Sequence, residues 1–174
     1  MNGRKQFNQR GVTLIEIIIV IAMIGILAGG SVLFLGHLHY ADTEKVVKTL
    51  DSALDELQVK NMSKADTYYM YVYDAGNGYY MKTMTDDLTS FDSSKLDTDG
   101  IKLANHTIEI YGIGNDASGS RITLDGTTNY IKISYTKSAS FQESETNVKQ
   151  ICIDGMPEYS ISLVFDTGKH FIDP

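Results

Sequence analysis

Apolar residues are concentrated in one unbroken segment near the start of the chain. Residues 12–36 are almost entirely apolar, and Arg4, Lys5 and Arg10 precede them. At a helical rise of about 1.5 Å per residue, about 20 such residues cover the roughly 30 Å hydrocarbon core of a bilayer. The basic flank predicts a cytoplasmic N terminus, with the rest of the chain outside. We therefore expect a membrane-embedded helix.

Beyond this segment the pattern becomes that of an amphipathic helix. Its apolar residues recur at intervals of three and four, which places them on one helix face, at Val46, Val47, Leu50, Leu54 and Leu57. We expect one long helix over about residues 12–61. The stripe predicts that the second half of this helix docks on the remainder of the chain.

From about residue 66 the apolar period becomes two, which is typical of β-strands. The alternation over 68–73 is followed by a turn at 74–78 and a partner strand at 79–84. Residues 85–100 are rich in Asp and Ser and predict a loop. Further strands are expected at about 107–113, 120–124, 129–136, 148–153, 159–165 and 169–172, with hairpin turns at Asp125-Gly126 and Asp166-Thr167-Gly168. The predicted fold class is α+β, a long N-terminal helix packed on a mostly antiparallel β-sheet.

Glu16 lies one helical turn into the apolar segment. A carboxylate deep in a bilayer costs roughly 2.5–3.5 kcal/mol on insertion scales, so such a residue usually has a function. The alternative is that Glu16 lies at headgroup depth and is tolerated there. A secretory signal peptide would have a shorter apolar stretch, although Ala28-Gly29-Gly30-Ser31 looks like a cleavage site. A plain signal anchor suits the length and the charges but does not account for Glu16.

The segment from Gln9 to Glu16, with the sequence QRGVTLIE, resembles the processing site of type IV prepilins and pseudopilins. The resemblance extends over about residues 4–60. It implies that a prepilin peptidase cleaves after Gly11 and methylates the new amino terminus at Val12. It also implies that Glu16, the fifth mature residue, pairs with the Val12 amine of a neighbouring subunit in a filament. The family usually has phenylalanine or methionine where this chain has Val12.

Gly25 and Gly29 form a Gly-x-x-x-Gly step, which lets membrane helices approach closely. The general abundance of glycine in membrane helices explains the pair equally well. With the resemblance, the predicted organisation is a leader at 1–11, a transmembrane and filament-core helix half at 12–36, an amphipathic helix half at 37–62 and an exterior β-rich domain at 63–174.

The expected function is that of a structural subunit, a major or minor pilin, of a type IV pilus. The implied partners are pilin subunits of the same or another kind, the prepilin peptidase, an inner-membrane platform protein and an assembly ATPase. The precursor would be a single-pass membrane protein, and the assembled form an extracellular filament. The alternatives are a pseudopilin of a type II secretion or competence DNA-uptake system and, from another class, a membrane-anchored binding module or enzyme.

Candidate chemistry elsewhere in the chain is sparse. The sequence contains none of the motifs Gly-x-Ser-x-Gly, phosphate-binding Gly-Lys loop or His-Glu-x-x-His, so we expect neither an enzyme nor a cofactor. Asp97-Thr98-Asp99-Gly100 looks like part of a calcium loop, but the alignment places Lys95 and His106 at ligand positions. A solvated loop is favoured, and a calcium site of another shape stays open.

Three further residues are isolated chemical groups in the sequence. Cys152, the single cysteine, excludes an intramolecular disulfide and lies in an apolar run, which favours a buried core residue over a nucleophile. His106 and His170 have no partner in sequence and are expected to be surface or packing residues.

The net charge and the distribution of tyrosines bear on which partners the chain can bind. The formal net charge is −7 although the leader is basic, so the remainder is strongly acidic and general nucleic-acid binding is disfavoured. A small basic patch involving Arg121, Lys132 or Lys149 stays open. Six of the eleven tyrosines lie between residues 68 and 80. Cross-strand pairing on a half-buried sheet explains them, and the alternative is an exposed tyrosine face that contacts other subunits or an adhesion target.

Overall fold

The computed structural model describes the backbone of residues 13–174 and the side chains of residues 13–27 and 42–174. The predicted leader at 1–11 and Val12 lie outside the described residues. The chain divides into two compact units, Met1–Leu38 and His39–Pro174.

One long helix, α1, spans Leu14–Ser63 and is followed, within the described residues, by nine β-strands. The strands are β1 Tyr69–Asp74, β2 Tyr79–Met84, β3 Ile101–Ala104, β4 Glu109–Gly114, β5 Arg121–Thr123, β6 Ile131–Ser134, β7 Val148–Asp154, β8 Tyr159–Val164 and β9 Lys169–Asp173.

The strands form two sheets rather than the single sheet that the sequence predicts. Sheet A has the order β3-β2-β1-β6, and sheet B has the order β5-β4-β7-β8-β9. Every strand pair is antiparallel. The α+β class, with an N-terminal helix and antiparallel strands, is confirmed.

The main core of the second unit contains the apolar stripe of α1 and the inner faces of both sheets. All five stripe residues are at most 3% exposed, and Leu50 and Leu54 are completely buried. They share one cluster with strand residues such as Ile110, Ile133 and Ile151. Complete burial of a leucine contributes about 1.5–3 kcal/mol, so the predicted docking stripe is a principal source of stability.

A second core lies on the opposite face of sheet A. Met70 and Val72 of β1 belong to the main core, whereas alternate residues of the same strand point the other way. The loop over residues 85–100 contributes two leucines to this second cluster, whose buried members are Tyr69, Tyr71, Tyr73, Tyr80, Leu88 and Leu96. The alternative of an exposed tyrosine face is therefore wrong for these four tyrosines.

Two local predictions are also corrected. Strand β3 was not predicted, because it has four residues of which Ile101 and Lys102 are exposed and give no clear alternation. Asp125-Gly126 is not a hairpin turn, since β5 lies in sheet B and β6 in sheet A. This segment connects the two sheets, whereas the predicted turn at Asp166-Thr167-Gly168 does join β8 to β9.

Candidate functional site

Helix α1 begins with a reciprocal cap between Thr13 and Glu16. The N–H of Glu16 donates to Thr13 Oγ1 at 3.4 Å, and the N–H of Thr13 donates to Glu16 Oε2 at 3.5 Å. This is the capping-box arrangement, in which two free backbone donors at a helix start are satisfied by side chains. The Thr-x-x-Glu spacing was present in the sequence, and its capping role was missed there. Glu16 thus lies in the first turn, where the helix dipole favours a negative charge.

The helix that follows Glu16 carries apolar side chains on all sides, and they are exposed. Between Leu14 and Leu27 their exposed fractions range from 49% at Ile19 to 77% at Leu14. A helix that is apolar all round is normally covered by a protein core or by lipid. Of the helical residues that the structure describes, no stretch is both long and apolar enough to span a bilayer. The transmembrane segment over 12–36 stays a prediction.

The structure describes the surroundings of some of the predicted assembly and processing residues but not of others. A Cβ atom placed on Gly25 would meet nothing within 4 Å, so packing within the described residues does not require glycine there. Gly29 lies in α1, but its side-chain surroundings are not among those described. Gly11 and Val12 lie outside the described residues, so the processing site stays a prediction.

In the second unit, tyrosine hydroxyls bind the loop over residues 85–100 to sheet A. The Tyr71 hydroxyl donates to the carbonyl of Asp86 and accepts from the N–H of Leu88, both at 2.9 Å. The Tyr73 hydroxyl donates to the carbonyl of Asp97 at 2.7 Å. Burial raises the pKa of Tyr71 to about 12, so this hydroxyl stays neutral and able to donate. The tyrosines have a structural role beneath the loop.

Lys132 lies at the edge of this tyrosine cluster and contacts two carboxylates. Its Nζ contacts Asp87 Oδ1 and Glu145 Oε2, and its side chain is 11% exposed. Burial opposes the charge, but hydrogen bonds to the two carboxylates raise the pKa of Lys132 overall. Lys132 is paired with two carboxylates and Arg121 contacts Glu109, which counts against these two residues as members of the basic patch that the sequence left open. Lys132 is separated by 45 residues from Asp87 and by 13 residues from Glu145, so the sequence alone does not indicate these contacts.

His106 and His170 are not isolated in the structure. His170 Nε2 lies 3.0 Å from Asp51 Oδ1 on α1, and the His170 side chain is 10% exposed. His106 Nε2 lies 3.0 Å from Asp74 Oδ2. The expectation of a packing role suits His170, but both residues have carboxylate partners that sequence spacing could not reveal.

Cys152 is half-buried and is not a residue of the main core. Ile151 and Ile153 on either side of it point into that core, so Cys152 lies on the outer face of sheet B. Burial raises the pKa of its thiol, while a hydrogen bond with Tyr111 acts in the opposite direction. The expectation of a core position is wrong, and the raised pKa favours the unreactive thiol over the thiolate.

The Asp-rich loop uses its carboxylates for contacts within the loop and to sheet A. Asp97 Oδ1 accepts from Lys82 Nζ at 3.0 Å and from the N–H of Asp99 at 3.1 Å. In the part of the chain that the structure describes, no three His, Cys, Asp or Glu side chains converge to hold a metal ion. The contacts of Asp97 are those of an ion-paired loop.

The chain carries a known sequence motif at its N terminus. Residues 6–32 match the family model of the prokaryotic N-terminal methylation motif, the signature of type IV prepilins and pseudopilins. The match includes Gly11, Val12, Glu16, Gly25 and Gly29, and it confirms the resemblance seen in the segment QRGVTLIE. It supports a type IV pilin-like or pseudopilin precursor. No curated protein and no solved structure matches the chain.

Proposed function

We propose that the chain is the precursor of a structural subunit, a major or minor pilin, of a type IV pilus, and that it is not an enzyme. A prepilin peptidase cleaves between Gly11 and Val12 and methylates the Val12 amine. The precursor is held in the membrane by residues 12–36 with its N terminus in the cytoplasm. The processed subunit then joins an extracellular filament through its N-terminal helix, with the assembly ATPase and platform protein driving insertion.

The observation that carries this proposal is the methylation motif on a helix whose apolar side chains are exposed. The motif spans residues 6–32, and the exposed apolar residues between Leu14 and Leu27 fall within it. Exposed apolar surface on this scale marks contact with a membrane or with another protein. A pilin uses both in turn, lipid before assembly and neighbouring helices afterwards.

Glu16 has a specific part in this proposal. Cleavage after Gly11 creates an ammonium group at Val12, four residues before Glu16 in the sequence, a separation that corresponds to about one turn of a helix. In a filament, the Glu16 carboxylate of an incoming subunit pairs with the Val12 amine of its neighbour. In low dielectric an unpaired charge is strongly disfavoured, so the pair fixes the register of the two helices. Gly25 and Gly29 lie further along and permit close helix approach.

The pseudopilin alternative uses the same helix, because the matched motif is a signature of both groups. A pseudopilin of a secretion or competence system would form a short fibre in the cell envelope, whereas a pilin forms long surface filaments. Electron microscopy of cells expressing the chain at native level separates the two outcomes. The membrane-anchored binding module differs from both, because it keeps its N terminus and forms no fibre.

The function is tested by replacing Glu16 without changing its size. Glu16→Gln removes the charge that pairs with the Val12 amine, and we expect normal cleavage but no filaments in sheared surface fractions. Glu44→Gln is the matched control, since Glu44 lies on the same helix and pairs with Lys48 in an exposed i,i+4 contact. Such pairs contribute only about 0.3–0.5 kcal/mol, so filaments should persist. Filaments from Glu16→Gln at the wild-type level would contradict the assembly role.

A further inference from the structure

Three segments that are distant in sequence meet at Lys132. Lys132 belongs to β6 and is paired with Tyr71 of β1 in the sheet register. Asp87 comes from the loop over 85–100, and Glu145 comes from a turn in which its N–H donates to the carbonyl of Gln142 at 3.0 Å. Lys132 Nζ contacts a carboxylate oxygen of each acid. The cluster joins two otherwise separate segments to the edge of sheet A.

The backbone around this cluster is fixed by hydrogen bonds. Next to Asp87, the N–H of Leu88 donates to the Tyr71 hydroxyl and its carbonyl accepts from the Tyr130 hydroxyl, both at 2.9 Å. The N–H of Lys132 donates to Asn147 Oδ1 at 2.8 Å. Groups held in contact in this way react as though their effective concentration were on the order of 10⁵–10⁸ M.

The surroundings of the lysine restrict water. The side chains of Lys132 and Glu145 are 11% and 22% exposed, and Lys132 Nζ lies 4.8 Å from the centre of the Tyr69 ring. Asp87 is more open at 44%, which gives a released water molecule a way out. One ammonium group here faces two carboxylates. One carboxylate is enough to balance the charge of the ammonium group, so the second carboxylate can accept and donate protons.

We propose that Lys132 and Asp87 become joined by an intramolecular amide bond between Lys132 Nζ and Asp87 Cγ, with Glu145 as the proton carrier. The inference does not depend on the pilin function, because it concerns the second unit alone. The single cysteine of the chain excludes an intramolecular disulfide, so this amide would be a side-chain cross-link of a different kind.

The reaction balances without any further reagent. Glu145 takes one proton from the Lys132 ammonium group and passes it to a carboxyl oxygen of Asp87, and the neutral amine then attacks Cγ of the neutral carboxyl group, forming the C–N bond. Glu145 next transfers a second proton from nitrogen to the same oxygen. The C–O bond breaks and water leaves. The nitrogen keeps one hydrogen, Glu145 returns to its carboxylate, and nothing is oxidised or reduced.

The cross-link is tested by mass spectrometry of the full chain under denaturing conditions. We expect the wild-type mass to be lower, by one water molecule, than the mass calculated from its sequenced N terminus with any methyl group on that amine included. A tryptic digest should contain a branched peptide that joins the Asp87 and Lys132 segments, with no cleavage after Lys132. The N terminus is determined separately, so incorrect processing would not be mistaken for a missing cross-link.

Two variants serve as controls. Lys132→Arg keeps a cation between the two acids but offers no amine, and it should have its full calculated mass. Glu145→Gln keeps a side chain of the same size but cannot carry protons, and it should lose most of the branched peptide. A wild-type chain of full mass overturns the proposal, whether or not the variants fold. A cross-link to Glu145, or a Glu145→Gln variant that is fully cross-linked, overturns the assigned roles.

Discussion

The two units of the chain place the same kinds of apolar side chain in opposite environments. In the described part of the first unit, leucine and isoleucine residues of α1 are exposed around the whole helix, with Ile18 at 57%. In the second unit, leucines of the same helix are buried, and Leu54 is completely inaccessible. Both regions belong to the same helix, so helix formation alone does not distinguish them. The arrangement of polar residues does, since only the second region has a polar face.

This difference indicates that the two regions are constrained by different requirements. Burial of the stripe contributes to the folding of the second unit, and a change there should alter its free energy of unfolding. The exposed apolar residues of the first unit contribute little to folding within the chain, so their pattern must be set by what covers the helix. In our proposal this is lipid first and other subunits afterwards.

The largest expected effect comes from removing a stripe leucine. Leu54→Ala should lower the free energy of unfolding of the second unit by about 2–5 kcal/mol, because it leaves a cavity in a packed core. Ile18→Ala is the matched change in the exposed region and should stay within about 0.5 kcal/mol of wild type. Tyrosine fluorescence during denaturant unfolding of the full chain in detergent measures both. Equal losses for the two variants would remove the contrast between the units.

A smaller effect is expected at the second core of sheet A. Tyr71→Phe removes the hydroxyl that bonds to Asp86 and Leu88, leaving a buried N–H of Leu88 without its partner. We expect a loss of about 1–3 kcal/mol. Tyr68→Phe is the control, because Tyr68 is only half-buried and lies outside this cluster. A Tyr71→Phe variant as stable as Tyr68→Phe would show that the loop over 85–100 is not held by this hydroxyl.

The smallest effect is expected at the connection between the two sheets, and it should depend on pH. Asp125 Oδ1 accepts from the N–H groups of Thr127, Thr128 and Asn129 at 2.7–3.0 Å. These backbone bonds lower the pKa of Asp125 from 3.8 to about 2. The carboxylate therefore stabilises the fold above pH 3.8, and this contribution is lost as the pH falls towards 2.

Asp125→Ala should consequently cost roughly 1 kcal/mol or less at neutral pH, since the site is exposed and the net value of such hydrogen bonds is small. The difference from wild type should shrink between pH 4 and pH 2 in urea unfolding. Asp125→Asn, which keeps one acceptor oxygen and has no charge to lose, should differ from wild type by an intermediate amount. A difference that grows on acidification would contradict the lowered pKa.

The sequence predicted those elements whose pattern is local and periodic. The stripe from Val46 to Leu57 gave the docking face of α1, and the sequence pattern located, within a few residues, eight of the nine strands in the described part of the chain. β3 was missed because its four residues are too few and too exposed to give a period. The pairing of β5 and β6 with different sheets could not be foreseen, since Asp125-Gly126 has the composition of a hairpin turn and only long-range contacts decide its neighbours.

Among the candidate sites too, those whose residues are adjacent in sequence were predicted, and those built from distant segments were not. The methylation motif is contiguous, so residues 9–16 are sufficient to indicate it without knowledge of the fold. Lys132 with Asp87 and Glu145, and His170 with Asp51, are contacts between distant segments, and single residues gave no signal for them. The buried tyrosines of the second core were predicted as cross-strand pairs. Their cover by the loop over 85–100 was not predicted, because the sequence of that loop is that of an ordinary polar segment.

The central claim is that Gly11 and Val12 form a processing site ahead of an assembly helix. The most direct test is the intact mass and N-terminal sequence of the protein isolated from its own cells. We predict a chain that begins at Val12 with one methyl group on its amine. A chain that begins at Met1 would be a simple anchored protein, and one that begins near Ser31 would be a secreted domain. Either result would contradict the pilin account.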